Sequence, residues 1–185
     1  MVLSGIHNSL RSQTQSRIDE EVLGYETSLE YIGDMTRERN VIGVGAGPHN
    51  QVDTVVQSIT TRDEKGDVNK KTEGVSMMPP FMIVTKKNAS VLRRILRFFR
   101  KNHCAEIIGG KKKIPAKYPA LIIDDEADQA SINTKESYDD QGNVLDDYNP
   151  TTINGLIREL LGIFECRSYI GYTATPFANI FIPPH

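Results

Sequence analysis

The chain has 185 residues, a quarter of them charged, and a formal net charge of −2. That length allows one well-buried domain and is too short for two nucleotide-binding lobes. The balanced charge makes no global case for nucleic-acid or membrane binding, so any such surface must be local. No apolar run approaches the ~20 residues of a membrane span, and a cytoplasmic protein is expected.

Met1 to Gly5 reads as a strand and its exit turn. Leu10 to Leu23 carries helix formers and predicts an exposed helix, with Asn8 or Ser9 as N-cap. Residues 26–80 are polar and rich in turn formers, which predicts an irregular insertion with short elements and low order near Asp63 to Glu73. Phe81 to Thr85 predicts a strand. In the helix after it, Val91, Leu92, Ile95, Leu96 and Phe99 recur at helical spacing and form a core-facing stripe.

Arg93, Arg94, Arg97, Arg100 and Lys101 crowd the rest of that helix. They read as a solvated face or, with a basic loop at Lys111 to Lys113, as a local attraction for phosphate. A short strand is expected at Ala105 to Ile108 and another at Ala120 to Ile123, then a polar surface loop from Ser131 to Asn149. Pro150 suits the first position of a last helix capped by Asn149. Its buried stripe is Ile153, Leu156, Ile157, Leu160, Leu161 and Phe164. A strand at Tyr169 to Tyr172 follows, and Ile180 to Ile182 is a candidate for one more short element. This alternation predicts an α/β fold with a doubly wound parallel sheet flanked by helices. Cys104 and Cys166 lack metal-ligand spacing and read as two buried thiols in a reducing compartment. His7, His49, His103 and His185 are scattered.

The most informative stretch is Ala120-Leu121-Ile122-Ile123-Asp124-Asp125-Glu126-Ala127-Asp128, an apolar run ending in four carboxylates within five positions. A short run with two apolar faces reads as a buried parallel strand, and its carboxyl end emerges where ligands of open α/β sheets bind. Clustered carboxylates repel one another unless a cation joins them, and oxygen ligands suit Mg²⁺. The bland alternative is an acidic strand-to-loop turn that caps a helix. Downstream, Ser168 to Phe177 is again a strand-like run, ending in Thr173-Ala174-Thr175-Pro176.

An Asp-Glu-x-Asp strand end followed by a Thr-Ala-Thr-Pro strand end resembles motifs II and III of superfamily-two helicases and translocases. With Leu3 to Gly5, Leu10 to Arg17, Ile123 to Thr134 and Tyr169 to Ile182, the chain resembles the endonuclease family that carries the Z-one domain. Members have a helicase-like ATPase core and occur in bacterial DNA-defence and restriction-like systems. The resemblance implies a partial RecA-like (P-loop NTPase) lobe, with residues 1–185 forming an incomplete first lobe of a DNA-acting ATPase.

It implies that Asp125 holds Mg²⁺ through water and that Glu126 orients or deprotonates the attacking water. Asp128 would bond toward Thr173 or Thr175, joining the two loops. Those threonines either couple the nucleotide site to nucleic acid or are turn formers before Pro176. Gln13, Gln15 and Arg17 stand where the family meets single-stranded nucleic acid, or are ordinary exposed helix residues. Lys86 and Lys87, at a strand end, either touch phosphate or are lone surface lysines.

One departure matters. The phosphate-gripping Gly-x-x-x-x-Gly-Lys-Thr/Ser loop is absent; Gly43 to Pro48 lacks the lysine, and Gly109-Gly110-Lys111-Lys112 lacks the hydroxyl and the following helix. The chain therefore reads as an amino-truncated fragment, inactive alone, without its P-loop strand, second ATPase lobe and downstream domain. Mg²⁺, ATP and DNA belong to the intact parent. The alternative is a non-catalytic module of the same fold that binds nucleic acid or a partner; a self-contained metal nuclease is the weakest reading.

Overall fold

The computed structural model describes residues 1–30, 39–47, 56–68, 80–104, 106–127 and 150–174. Among these described residues eight strands form, β1 (Val2–Ser4), β2 (Gln57–Ser58), β3 (Phe81–Met82), β4 (Val84–Lys86), β5 (Glu106–Ile108), β6 (Lys111–Lys113), β7 (Ala120–Asp124) and β8 (Arg167–Gly171). The helices are α1 (Asn8–Ile18), α2 (Ala89–Asn102) and α3 (Pro150–Gly162). A π-type turn, Asp19–Leu23, continues α1 and stops at Gly24, whose φ of 76° ends the helix in the left-handed region.

The central sheet has the order β4-β1-β7-β8 and every pairing in it is parallel. Such pairings need long crossovers, and the three helices supply them. The chain moves one way from β1 to β4 and the other way from β4 to β7 to β8. Right-handed crossovers then put α1 on one face and α2 with α3 on the opposite face. The α2 and α3 stripes bury Leu92, Ile95, Leu96, Phe99, Ile153 and Leu160 in one cluster with Leu3 and Ile122 of the sheet, Ile83 between β3 and β4, and Phe164, which lies past the end of α3 and bridges to Ile114. Phe99 meets Phe81 and Phe164 with ring centroids 6.0 and 5.1 Å apart, which adds packing specificity to area burial. Asn88 caps α2, its side chain accepting from the amides of Ser90 and Val91.

Several expectations need correction. The strand expected at Phe81 to Thr85 is split into β3 and β4, with β3 pairing to β2 instead of the main sheet. Segment 56–68 is built into the fold, with Ile59, Thr60, Thr61 and Val68 buried; residues 69–79 lie outside the described residues, as do 128–149 and 175–185. The basic loop is strand β6, hydrogen-bonded antiparallel to β5. Gly109 and Gly110, at φ 58° and 76°, make the tight turn between them. Cys104 is buried but Cys166 is exposed.

The largest correction is α1. It is not an exposed helix: Arg11, Gln15 and Asp19, four residues apart, form a fully buried polar face. Their partners are polar too. The Gln15 amide donates to Asp19 Oδ1 at 2.9 Å, and its Oε1 accepts from the Thr60 hydroxyl at 2.8 Å. Thr60 Oγ1 in turn accepts from the Val84 amide at 2.8 Å, tying α1 to β4. Asp19 Oδ2 accepts from the Thr27 amide and hydroxyl. Burial raises the Asp19 carboxyl above its ordinary value despite these bonds and nearby Arg62. No side chain caps α1, whose N-cap position is His7 and whose first residue is Asn8.

Among the described residues, no helix is long and apolar enough to cross a membrane.

Candidate functional site

Strands β1 and β7 are neighbours whose following connections leave in opposite directions. The crevice beyond their carboxyl ends is therefore a topological switch point, the place where open α/β sheets bind ligands. Gly5 follows β1 there, and Asp125 and Glu126 follow β7. The Asp125 amide donates to Leu3 O at 2.9 Å, so the acidic tip is docked on β1 by backbone.

The four acids divide by environment. Asp124, the last residue of β7, is buried, and both its oxygens are engaged: Oδ1 by Lys87 Nζ at 2.9 Å and Oδ2 by the Tyr169 hydroxyl at 2.7 Å. Burial, then the bond and charge of Asp124, push the Tyr169 phenol well above its ordinary value. Asp125 is exposed at the rim. Glu126 is part-buried with φ of +57°, a left-handed backbone that side chains adopt rarely. Its Oε2 is buried and, among the described residues, has no hydrogen-bond partner. Asp128 lies outside the described residues.

Strand β8 brings the second motif to the same rim. Asp124 pairs with Gly171, the Tyr172 amide donates to Asp124 O, and Tyr172 O accepts from the Ala127 amide, each bond 2.8 Å long. Thr173 is the next residue after this exchange, so its loop leaves from beside the acidic tip; Thr175 lies outside the described residues.

Lys87 is not a surface lysine. It is 1% exposed, and its ammonium donates to Asp124 Oδ1 at 2.9 Å and to the carbonyls of Asp125 and Glu126, each at 2.6 Å. All three of its donors are used inside the protein. Nothing local in Thr85-Lys86-Lys87-Asn88 signals this; the signal is Asp124, a charge too many at a buried strand end. Lys86 is half-buried and donates to Asn8 Oδ1 at 2.8 Å, at the start of α1.

Of the three α1 residues expected on a nucleic-acid surface, Gln13 and Arg17 are exposed and lie in one shallow polar groove with Ser9, Ser12, Ser16 and Glu20. Gln15 does not join them, because its side chain is wholly buried and both ends of its amide are occupied within the protein.

Among the described residues no group of three or more His, Cys, Asp or Glu side chains is arranged to hold a metal by itself. The acidic half of a Mg²⁺–nucleotide centre fits Asp125 and the Glu126 oxygen that has no partner among the described residues. The phosphate-gripping half does not: the sequence has no Gly-Lys-Thr/Ser loop, and Lys87 is already engaged. Compared with protein-family models, curated proteins and solved structures, the chain has no match.

Proposed function

We propose that residues 1–185 are the acidic half of a nucleotide-hydrolysing site in a DNA-acting ATPase of helicase or translocase type. The observation that carries this reading is the coincidence of Asp125 and Glu126 with the β1/β7 switch point, beside the loop of Thr173. In this reading the lobe is RecA-like and the parent is an endonuclease of the Z-one type acting in bacterial DNA defence. Bound Mg²⁺ supplies charge neutralisation at the transferring phosphoryl group. Asp125 would hold that ion through water, and Glu126 would orient the attacking water and accept its proton. The phosphate loop, the second lobe and any DNA-cutting domain come from outside these residues. Strand β8 is exposed along its length and, among the described residues, paired on one side only, which supports a further strand at that edge.

The test is DNA-stimulated ATP hydrolysis by the full-length protein. Glu126→Gln is expected to cut turnover by roughly 100-fold or more while nucleotide binding persists. Unchanged turnover in that variant would sink the assignment. The second reading, a non-catalytic module that binds nucleic acid or a partner, is favoured by the missing phosphate loop. It expects no ATP turnover in the full-length protein and retained DNA binding through Gln13, Arg17 and Lys86.

A further inference from the structure

Lys87 makes contacts that a charge partner for Asp124 does not need. Two of its three hydrogen bonds, both 2.6 Å, go to the main-chain oxygens of Asp125 and Glu126. Those carbonyls belong to the turn in which Glu126 takes its left-handed conformation. A buried ammonium bridging consecutive carbonyls stabilises that turn, because leaving those oxygens and the ammonium unpaired away from water is costly. The ammonium is itself held in place. Asp124 anchors it through Oδ1, and Tyr169, reaching from β8, fixes Asp124 through Oδ2. The Lys87 amide donates to Gly5 O at 3.4 Å, so Lys87, at the exit of β4, ties the residue after β1 to the tip of β7.

We infer that Lys87 is a positioning residue: its ammonium clamps the backbone of Asp125 and Glu126 and thereby aims their side chains into the crevice. This rests on the reading of those two acids as the ligand-facing groups. Asp124 and Tyr169 serve the clamp and do not face the ligand. The arrangement also explains four acids in five positions: one is an internal counter-ion.

The test separates charge pairing from clamping. Lys87→Met alone strands a buried carboxylate and risks unfolding, so the informative variant is Lys87→Met with Asp124→Asn, which removes both charges. Amide hydrogen exchange is followed at Ala127, bonded to Tyr172 O, and at Ile123, bonded to Met1 O. The expected result is exchange at Ala127 roughly tenfold faster or more, the change one lost net hydrogen bond corresponds to, with Ile123 unaltered. Equal exchange at Ala127 in the double variant and the native protein overturns the clamp. A parallel rise at both amides overturns it too, since Lys87 would then be only a core pair. Turnover of the full-length protein adds the functional arm: kcat falls in the double variant with KM for nucleotide unchanged, and Asp124→Asn alone falls less. Should the native full-length protein not hydrolyse ATP, the proposed function fails while the exchange result still decides the clamp.

Discussion

The carboxylate of Glu126 lies against the bare Cα of Gly5: a Cβ built there would sit 2.7 Å from Glu126 Oε2 and 2.8 Å from Leu10 Cδ1. Both obstacles are ends of flexible side chains, so the space is kept open for the carboxylate rather than for a backbone turn. Gly5→Ala should therefore fold, at a cost of about 1–3 kcal/mol for overpacking, and turn Glu126 away from β1. Thermal unfolding of the variant, read beside ATP turnover of the full-length protein, checks this. A variant with native turnover would show that the close approach has no functional consequence.

Arg11 is the cation of the buried polar face. It donates to Thr61 O at 2.8 Å and to Asp63 O, and its Nε lies 3.8 Å from Asp67 Oδ2. Removing it takes one cation from Asp67, which keeps its bond from the Thr85 hydroxyl, and takes the guanidinium donors from the carbonyls of Thr61 and Asp63. Arg11→Met should lose about 3–5 kcal/mol in denaturant unfolding, as breaking one side of a buried pair does. Adding Asp67→Asn should recover part of that loss. If the double variant is no more stable than Arg11→Met, the two residues are not coupled.

Asp67 also predicts a pH dependence. Burial raises its carboxyl above the ordinary value of 3.8, outweighing the Thr85 hydroxyl bond and the charges of Arg11, Lys86 and Arg94. The folded state then binds a proton more tightly than the unfolded state. Its contribution is most favourable below 3.8 and declines as pH rises from there through the higher folded-state value, then stays level. Asp19, raised for the same first reason, has the same sign. In urea unfolding across this acidic range, Asp67→Asn should lose less stability, or gain more, than the native chain as pH rises, and the opposite difference would contradict the assignment.

The 185-residue chain alone should show no measurable ATP turnover, with or without single-stranded DNA. Catalysis of phosphoryl transfer is positioning plus electrostatic stabilisation, and this sequence lacks the lysine and backbone cradle that provide both. A stimulated rate abolished by Asp125→Asn in this chain would place a complete site within it.

Much of the architecture was legible because it is written in short-range periodicity. Val91, Leu92, Ile95, Leu96 and Phe99 recur at helical spacing, Leu121 to Ile123 is apolar on both faces, and these patterns need no knowledge of distant partners. The tip of β7 was legible for the same reason: four acids after an apolar run have few local explanations. What the order of elements could not convey was the path of the sheet. That β8 lies beside β7, and that β1 and β7 form the switch point, depend on which strands pair.

The sequence by itself determined an α/β fold of alternating strands and helices with an acidic strand end, since the hydrophobic pattern of each element specifies its own geometry. Tertiary structure alone decided the fate of the polar residues. Lys87, Arg11, Gln15 and Asp19 read as surface groups in one dimension and Asp124 as a strand-edge acid or one standing behind the ligating acids; all five are interior groups in three. The physical reason is that a polar side chain can be buried only if a partner arrives to satisfy it. For these five most of the partners come from remote segments: residues 58–67 for the face of α1, and Lys87 at the exit of β4 with Tyr169 of β8 for the tip of β7.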